Sequence, residues 1–482
     1  MTRTRNLGVL LLAVIAMATS AADRSNAAAT AGIEGAWMGA LKLPNGQLRI
    51  VFHISRGPDS SLIATMDSPD QGATGVAVDE VTWTTGHLHL GLKAIQGAFE
   101  GNLRPQADSI DGSWTQGGAS FPLVLGRTES APQILRPQEP KPPLPYDAEE
   151  VSYQNPRAAI TLAGTLTLPR GGGKFPAVLL ITGSGPQDRD EQVFGHRPFL
   201  VLADYLTRRG IAVLRADDRG VGKSTGDFRS GTSEDFAGDV LAGVDYLKSR
   251  KEIDPSQIGL IGHSEGGIIA PMVAARSKDI AFIVMMAGTG VTGEQVLYMQ
   301  DSLISKAGGA SDSAIHVSRA LEEQIFTVIK QNASADSTEP ALRKLVSEAL
   351  ANEPDMRKLD SNAINKAVEM QVRQLLSPWL RYFLTYDPAP TLKKVSCPVL
   401  AINGEKDFQV PPAQNLPAIE AALKEGGNKN YTVKELPGLN HLFQTASTGS
   451  PDEYVKIEET MAPMALSTIG DWILKQAGRS GK

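Results

Sequence analysis

Gly262-His-Ser-Glu-Gly266 sets one hydroxyl between two glycines at G-x-S-x-G spacing. A serine hydroxyl is a weak nucleophile. It attacks an acyl carbonyl only when a base takes its proton and a carboxylate orients that base. Glycines at these positions suit a strand-to-helix turn too tight for a Cβ, which lifts the serine Oγ clear of its neighbours. The helix that follows turns its free N–H groups and its positive dipole end toward the reacting centre. Five-residue patterns recur by chance, so the partners decide the reading.

On an elbow of this kind the partners follow in the order serine, acid, histidine. Two histidines follow Ser264. His316 lies in a polar, helical stretch. His441 lies in Leu436-Pro-Gly-Leu-Asn-His-Leu-Phe443, a loop just past the last strand, and we assign it as the base. The acid belongs on the loop after the preceding strand, Ala401-Ile-Asn-Gly-Glu-Lys-Asp-Phe-Gln-Val-Pro411. Asp407 is assigned there, with Glu405 as the alternative. An acyl-transfer intermediate also needs N–H donors for its oxyanion. The backbone of Glu265 supplies one. The second comes from Thr182-Gly-Ser-Gly-Pro-Gln-Asp188, where we assign Ser184, with Gly185 as its neighbour alternative.

The elements that must position these groups are legible on both sides of the motif. Phe175 to Thr182, Ile211 to Ala216, the motif strand, Ile280 to Ala287, Cys397 to Asn403 and Tyr431 to Leu436 read as short apolar strands. Helical patterns at Arg197 to Arg209, Glu234 to Lys248 and Met461 to Gln476 alternate with them. Such alternation implies a parallel sheet covered on both faces. Residues 291–390 interrupt it with four helical stretches, an insertion able to cap a site. Ahead of this unit, residues 31–127 hold seven or eight short strands separated by Gly, Pro, Asn and Asp turns, which predicts a small all-β barrel or sandwich with Trp37, Trp83 and Trp114 in its core. Residues 128–148 carry prolines at 132, 137, 140, 142, 143 and 145 and read as an extended linker that separates the two units.

The chain of 482 residues carries a formal charge of −6, which argues against nucleic acid as a partner. Arg3 and Arg5, the apolar run Leu7 to Met17 and small residues to Ala22 read as a cleaved export signal, residues 1–22, too short for a membrane span. The expected location is secreted or periplasmic. Cys397 is the sole cysteine, so no intramolecular disulfide forms, and its strand setting suits a core residue. His87 and His89 share one strand face without further ligands. We expect no metal and no cofactor. Gly222-Lys-Ser224 imitates the end of a phosphate loop, but the glycine that motif needs at its start is replaced by Asp217.

Leu180-Ile-Thr-Gly-Ser-Gly-Pro-Gln-Asp-Arg-Asp190, Asp217-Asp-Arg-Gly-Val-Gly-Lys-Ser224, Gly262-His-Ser-Glu-Gly-Gly267, Asn403-Gly-Glu-Lys-Asp407 and Asn440-His441 together resemble the bacterial α/β-hydrolases of the esterase and serine-aminopeptidase-like group. The resemblance covers about residues 149–476. It implies the α/β-hydrolase fold with a helical cap, the triad Ser264, Asp407 and His441, and hydrolysis of short-chain carboxylic esters without a cofactor. Some relatives of that group cleave peptides or thioesters, so a serine (amino)peptidase and a thioesterase are the alternatives, and a non-catalytic binding protein is the remote one. A peptidase of this kind holds a substrate ammonium, for which Glu294, Glu322 and Glu323 are available by type. The expected partner is a small ester, and self-association into a homo-oligomer stays open.

Overall fold

The computed structural model describes residues 32–478, apart from 44–45, 58–59, 70–72, 105–107, 117–118, 129–134, 332–334 and 353–360. The expected export signal lies outside the described residues.

The first unit is one antiparallel sheet of nine strands. These are β1 (Gly35–Leu43), β2 (Gly46–Arg56), β3 (Leu62–Ser68), β4 (Ala73–Val78), β5 (Glu80–Thr84), β6 (His87–Leu92), β7 (Gly97–Leu103), β8 (Ser109–Gln116) and β9 (Ala119–Thr128). Their order is β4-β3-β2-β1-β9-β8-β7-β6-β5. The pairing of β1 with β9 joins the two ends of the meander, so the sheet curls round and only the edges β4 and β5 are left unpaired with each other. Of barrel and sandwich, the structure has the curled barrel-like form. Alternate residues point inward, and Trp37, Phe52, Phe99 and Trp114 are all but fully buried inside. Trp37 Nε1 donates to the Ile33 carbonyl at 2.7 Å, which removes the cost of a buried N–H. Trp83 packs at the edge of this core.

The second unit holds eight strands in the order β10-β11-β13-β12-β14-β15-β16-β17. They are β10 (Tyr146–Asn155), β11 (Ile160–Pro169), β12 (Phe175–Ile181), β13 (Ala212–Ala216), β14 (Ile253–His263), β15 (Phe282–Met286), β16 (Val399–Gly404) and β17 (Tyr431–Leu436). β11 runs antiparallel to its two neighbours, β10 and β13, and the other pairs are parallel. β12, β15 and β16 are apolar along nearly their whole length because helices cover both sheet faces. On one face lie α1 (Pro198–Arg208) and α11 (Pro463–Gln476). On the other lie α2 (Ser233–Ser249), α3 (Gly266–Ala274) and α10 (Pro412–Glu425). Between β15 and β16 the chain leaves the sheet as α4 (Gly293–Ala307), α5 (Asp312–Gln331), α6 (Ala335–Asn352), α7 (Ser361–Leu375), α8 (Pro378–Thr385) and α9 (Ala389–Leu392). This arrangement is the α/β-hydrolase fold with a helical cap. No helix among the described residues is long and apolar enough to cross a membrane.

Two details depart from the sequence reading. β10 begins at Tyr146, inside the stretch read as linker, because Tyr146 to Asn155 pair residue by residue with β11. Earlier in that stretch the chain is pinned to the second unit. Arg136 donates to the carbonyls of Gly195, Phe194, Val455 and Ile457, and Gln138 bonds Thr460 and Met461.

Candidate active site

Ser264 stands where β14 ends and α3 begins, with φ +53°, a left-handed conformation uncommon for a residue with a side chain. The turn is fixed from three sides. Ser264 N–H donates to the Met286 carbonyl of β15 at 2.8 Å. A Cβ on Gly262 would meet the Gly266 carbonyl at 1.9 Å, and one on Gly266 would meet the Ile181 carbonyl at 2.2 Å. Only glycine fits either place, which is the physical content of the motif. The Ser264 side chain is half-exposed and makes no hydrogen bond among the described residues.

His441 and Asp407 come together across the ends of β16 and β17. His441 Nδ1 lies 2.9 Å from Asp407 Oδ2, and both side chains are buried. The other oxygen, Asp407 Oδ1, accepts the backbone N–H groups of Gln409 and Val410 at 2.9 and 2.8 Å. Those bonds fix which oxygen faces the imidazole. His441 rides on a turn held by Asn440, whose Oδ1 accepts from Leu442 N and Gln444 N. Glu405, the alternative acid, is exposed and accepts from Gly438 N. His316 is exposed on α5. The imidazole of His441 packs against that of His263, the residue before the nucleophile, with centroids 4.8 Å apart. No hydrogen bond joins Ser264 and His441 among the described residues.

Across from the base lies the loop after β12. A Cβ on Gly183 would sit 3.4 Å from Ser264 Cβ, so this loop passes directly over the nucleophile. Its own N–H groups are sorted. Gly183 N donates to Glu191 Oε1 at 2.7 Å and Gln187 N to Asp218 Oδ2 at 2.9 Å. The N–H groups of Ser184 and Glu265 donate to nothing among the described residues. Thr182 Oγ1 donates to Asp218 Oδ1 at 2.8 Å, and burial pushes the Asp218 carboxyl well above its ordinary range.

The Glu265 side chain turns away from Ser264 into the protein. Its Oε1 accepts from Ser233 Oγ at 2.5 Å, at the start of α2, and from Trp379 Nε1 at 2.7 Å, in α8 of the cap. Burial pushes its carboxyl up to about 7, against the pull of those two bonds. A cavity of about 50 Å³ opens beside it, lined by Thr182, Gly183, Asp218, Phe228, Phe236 and Glu265 among others.

Several groups that shape the site were not singled out on the sequence. Glu191 and His263 form a buried pair, with His263 Nδ1 3.0 Å from Glu191 Oε1. Asp218 holds the loop after β12, and Trp379 ties the cap to Glu265. The one available signal was His263, which occupies the first free position of G-x-S-x-G. The imitation phosphate loop is a turn closed round a carboxylate. Arg189 grips Asp217 through Nε and Nη2 at 2.9 and 2.7 Å, and a Cβ on Gly222 would meet Asp217 Oδ2 at 2.5 Å. Cys397 is packed against the core, and burial pushes its thiol up to about 12. His87 and His89 pair with Asn102 and Glu100, and no metal-binding cluster occurs among the described residues.

Comparison with known proteins adds a family to this geometry. Residues 159–431 match the model of the X-Pro dipeptidyl-peptidase (S15) family. Esterase EstD of Thermotoga maritima is 29% identical over 319 residues, covering 65% of this chain and 66% of that protein, just under two thirds of its length. A putative hydrolase of Bacillus subtilis, YtaP, is 31% identical over 128 residues, 23% of this chain and 43% of that protein. Among solved structures, Est1E of Butyrivibrio proteoclasticus with ferulic acid bound is 20% identical. The match covers 68% of this chain and all of that one, with a TM-score of 0.39.

Proposed function

The chain belongs to the X-Pro dipeptidyl-peptidase (S15) family, and on that footing we propose that it is a serine hydrolase of carboxylic esters with short acyl chains. The observation that carries the proposal is the left-handed Ser264 between a buried His441–Asp407 pair and two unengaged N–H groups. The printed name of the Thermotoga relative supports the choice of ester.

Substrate binding brings His441 Nε2 within reach of Ser264 Oγ, as catalytic bonds that are open without substrate commonly close with it. His441 takes the hydroxyl proton as Oγ attacks the acyl carbon. The oxyanion is held by the N–H groups of Ser184 and Glu265. His441 then gives its proton to the leaving alkoxide, and the ester C–O bond breaks. A water, deprotonated by the same imidazole, attacks the acyl-enzyme and releases the acid. Asp407 holds His441 in the tautomer with Nδ1 protonated and balances the imidazolium.

A peptidase is the second reading, favoured by the family description. Of the cap carboxylates available to anchor an ammonium, Glu294 is bonded to Lys330 and Tyr298, Glu322 is buried beside Arg319, and Glu323 is exposed. The engagement of Glu294 by Lys330 and Tyr298 supports the ester. The proposed location, outside the cytoplasm after removal of a leader, rests on the Arg3–Ala22 pattern alone. N-terminal sequencing of the mature protein tests it.

The activity test is turnover of p-nitrophenyl acetate, butyrate and octanoate beside amino-acid p-nitroanilides, for the wild type and Ser264→Ala. Ester turnover that disappears in the variant, with the anilides inert, is expected. Anilide cleavage at comparable efficiency moves the assignment to peptidase. Ester turnover that survives Ser264→Ala overturns the mechanism.

A further inference from the structure

We propose that Glu191 and His263 form a second acid–histidine pair that positions the oxyanion loop, the nucleophile elbow and the base loop against one another. The inference rests on the serine-hydrolase reading of Ser264, Asp407 and His441.

The argument begins with proton counting. His263 Nε2 lies 3.0 Å from the carbonyl oxygen of His441, and Nδ1 lies 3.0 Å from Glu191 Oε1. A carbonyl oxygen can only accept, so Nε2 carries a proton. The same Glu191 Oε1 accepts the Gly183 N–H at 2.7 Å. A bond between Nδ1 and Glu191 then needs one more proton, on the ring or on the carboxyl. Burial would strip the ring, but the charge and hydrogen bond of Glu191 outweigh it and hold His263 above its ordinary range. The pair is therefore imidazolium and carboxylate, buried to within a few per cent of full enclosure. The charged groups facing His263 are Glu191 from the loop after β12 and Asp407 behind His441 on the base side, and Asp218 lies behind Glu191.

Three pieces of chain meet in these two side chains. Glu191 takes the N–H of Gly183, which leaves the next N–H, that of Ser184, to face the reacting centre. His263 holds the main-chain carbonyl of His441, and its ring packs on the catalytic imidazole. His263 is also joined by a peptide bond to Ser264. Glu191 itself is held at φ +52°, a conformation a glutamate adopts at a cost, so the surrounding structure imposes this placement. Neither residue touches the reacting atoms. Both are positioning residues.

The test compares wild type, Glu191→Ala and Glu191→Gln on the ester found in the activity assay, with Ser264→Ala alongside. Misplacing a base or an oxyanion donor costs on the order of a hundredfold in rate. Glu191→Ala is expected to lower kcat by about that factor while KM moves less than about threefold. Glu191→Gln keeps an oxygen that can accept from both Gly183 and a protonated Nδ1, without the charge that holds the proton on the ring, so it is expected to recover at least about tenfold of the loss. In the wild type, kcat is expected to fall on the alkaline side as the His263 proton leaves, and Glu191→Gln should move that fall to lower pH. Nitrogen-15 NMR of the wild type, with His263 assigned by its loss in His263→Gln, should show two ring N–H groups at pH 7. A single N–H, or a kcat for both Glu191 variants within threefold of wild type, overturns the proposal. If Glu191→Ala does not fold, the wild-type NMR result decides. If Ser264→Ala keeps its activity, the failure lies with the hydrolase reading instead.

Discussion

Glu265 offers an unengaged backbone N–H to the proposed reaction and buries its side chain under the cap, and titration separates the two. Its carboxyl ionises near 4.5 in an unfolded chain and at about 7 in the folded protein, because burial penalises the charge. Between those values the unfolded state releases a proton that the folded state keeps. Stability therefore falls as pH rises from about 4.5 to about 7 and is level beyond. Glutamine has an oxygen that can accept from Ser233 and Trp379 and has no charge to bury. Glu265→Gln is expected to leave stability at pH 4 nearly unchanged and to raise it at pH 8 by an amount on the order of 3 kcal/mol. Urea unfolding at the two pH values measures this, and an equal change at both counts against it. Asp407 gives a sharper case. Its Oδ1 is claimed by two backbone N–H groups, so in Asp407→Asn the amide oxygen must take that place and the NH2 must face His441 Nδ1. The imidazole then carries its proton on Nε2 and cannot accept from Ser264. A fall in kcat of about three to four orders of magnitude is expected, with the fold intact by circular dichroism. The placing of Ser264 on a tight turn and of Asp407 beside His441 was legible in the sequence because the proposed reaction demands those types in that order. Glu191 was not. No rule of chain order places a second carboxylate, and only the folded loop brings it to His263.

The elbow is the element on which the rest depends, and its tolerance can be calculated from distances. In Gly262→Ala the new methyl would lie 1.9 Å from a backbone carbonyl that β14 and α3 hold in place. Either the turn opens, moving Ser264, or the strand shifts out of its register with β12 and β15. The expected result is loss of turnover together with a lower melting temperature. Gly172→Ala, where nothing lies within 4 Å of the added carbon, is the control and should behave as wild type in both. The central strands were readable as continuous apolar runs because both faces are covered. The elements that went unread share a different cause. β4 is Ala-Thr-Gly-Val-Ala-Val, short of the bulky branched residues that mark strands, and it forms because β3 offers a partner. α10 opens with Pro411 and Pro412 and contains Pro417, and no helix was read there. Proline is at home in the first turn of a helix, where its missing N–H has no partner to lose.

At the scale of the molecule, the Pro-rich segment has a stabilising role for the unit that follows it. Arg136 reaches carbonyls from two separate stretches, 194–195 and 455–457, and burial lowers its pKa against the pull of the nearby Glu139 and Glu458. The stretches it joins are linked in turn to the base loop. His196 bonds Thr460 and the Tyr454 carbonyl, and Gln444, which bonds Asn440 next to His441, donates to the Glu459 carbonyl of the same stretch. Removing Arg136 and Gln138 would leave several carbonyls and two N–H groups without partners in a partly buried setting, at a cost of about 2–4 kcal/mol for the charged bonds alone. Two truncated chains separate this effect from any contribution of the β unit. One begins at residue 130 and keeps both side chains, and the other begins at residue 140 and keeps β10 intact. The first is expected to retain the melting temperature of the second unit and its esterase rate. The second is expected to melt several degrees lower, with a reduced kcat because the base loop has lost its outer support. Equal behaviour of the two would assign the segment to spacing alone, and loss of activity already in the first would mean that the β unit takes part in the reaction.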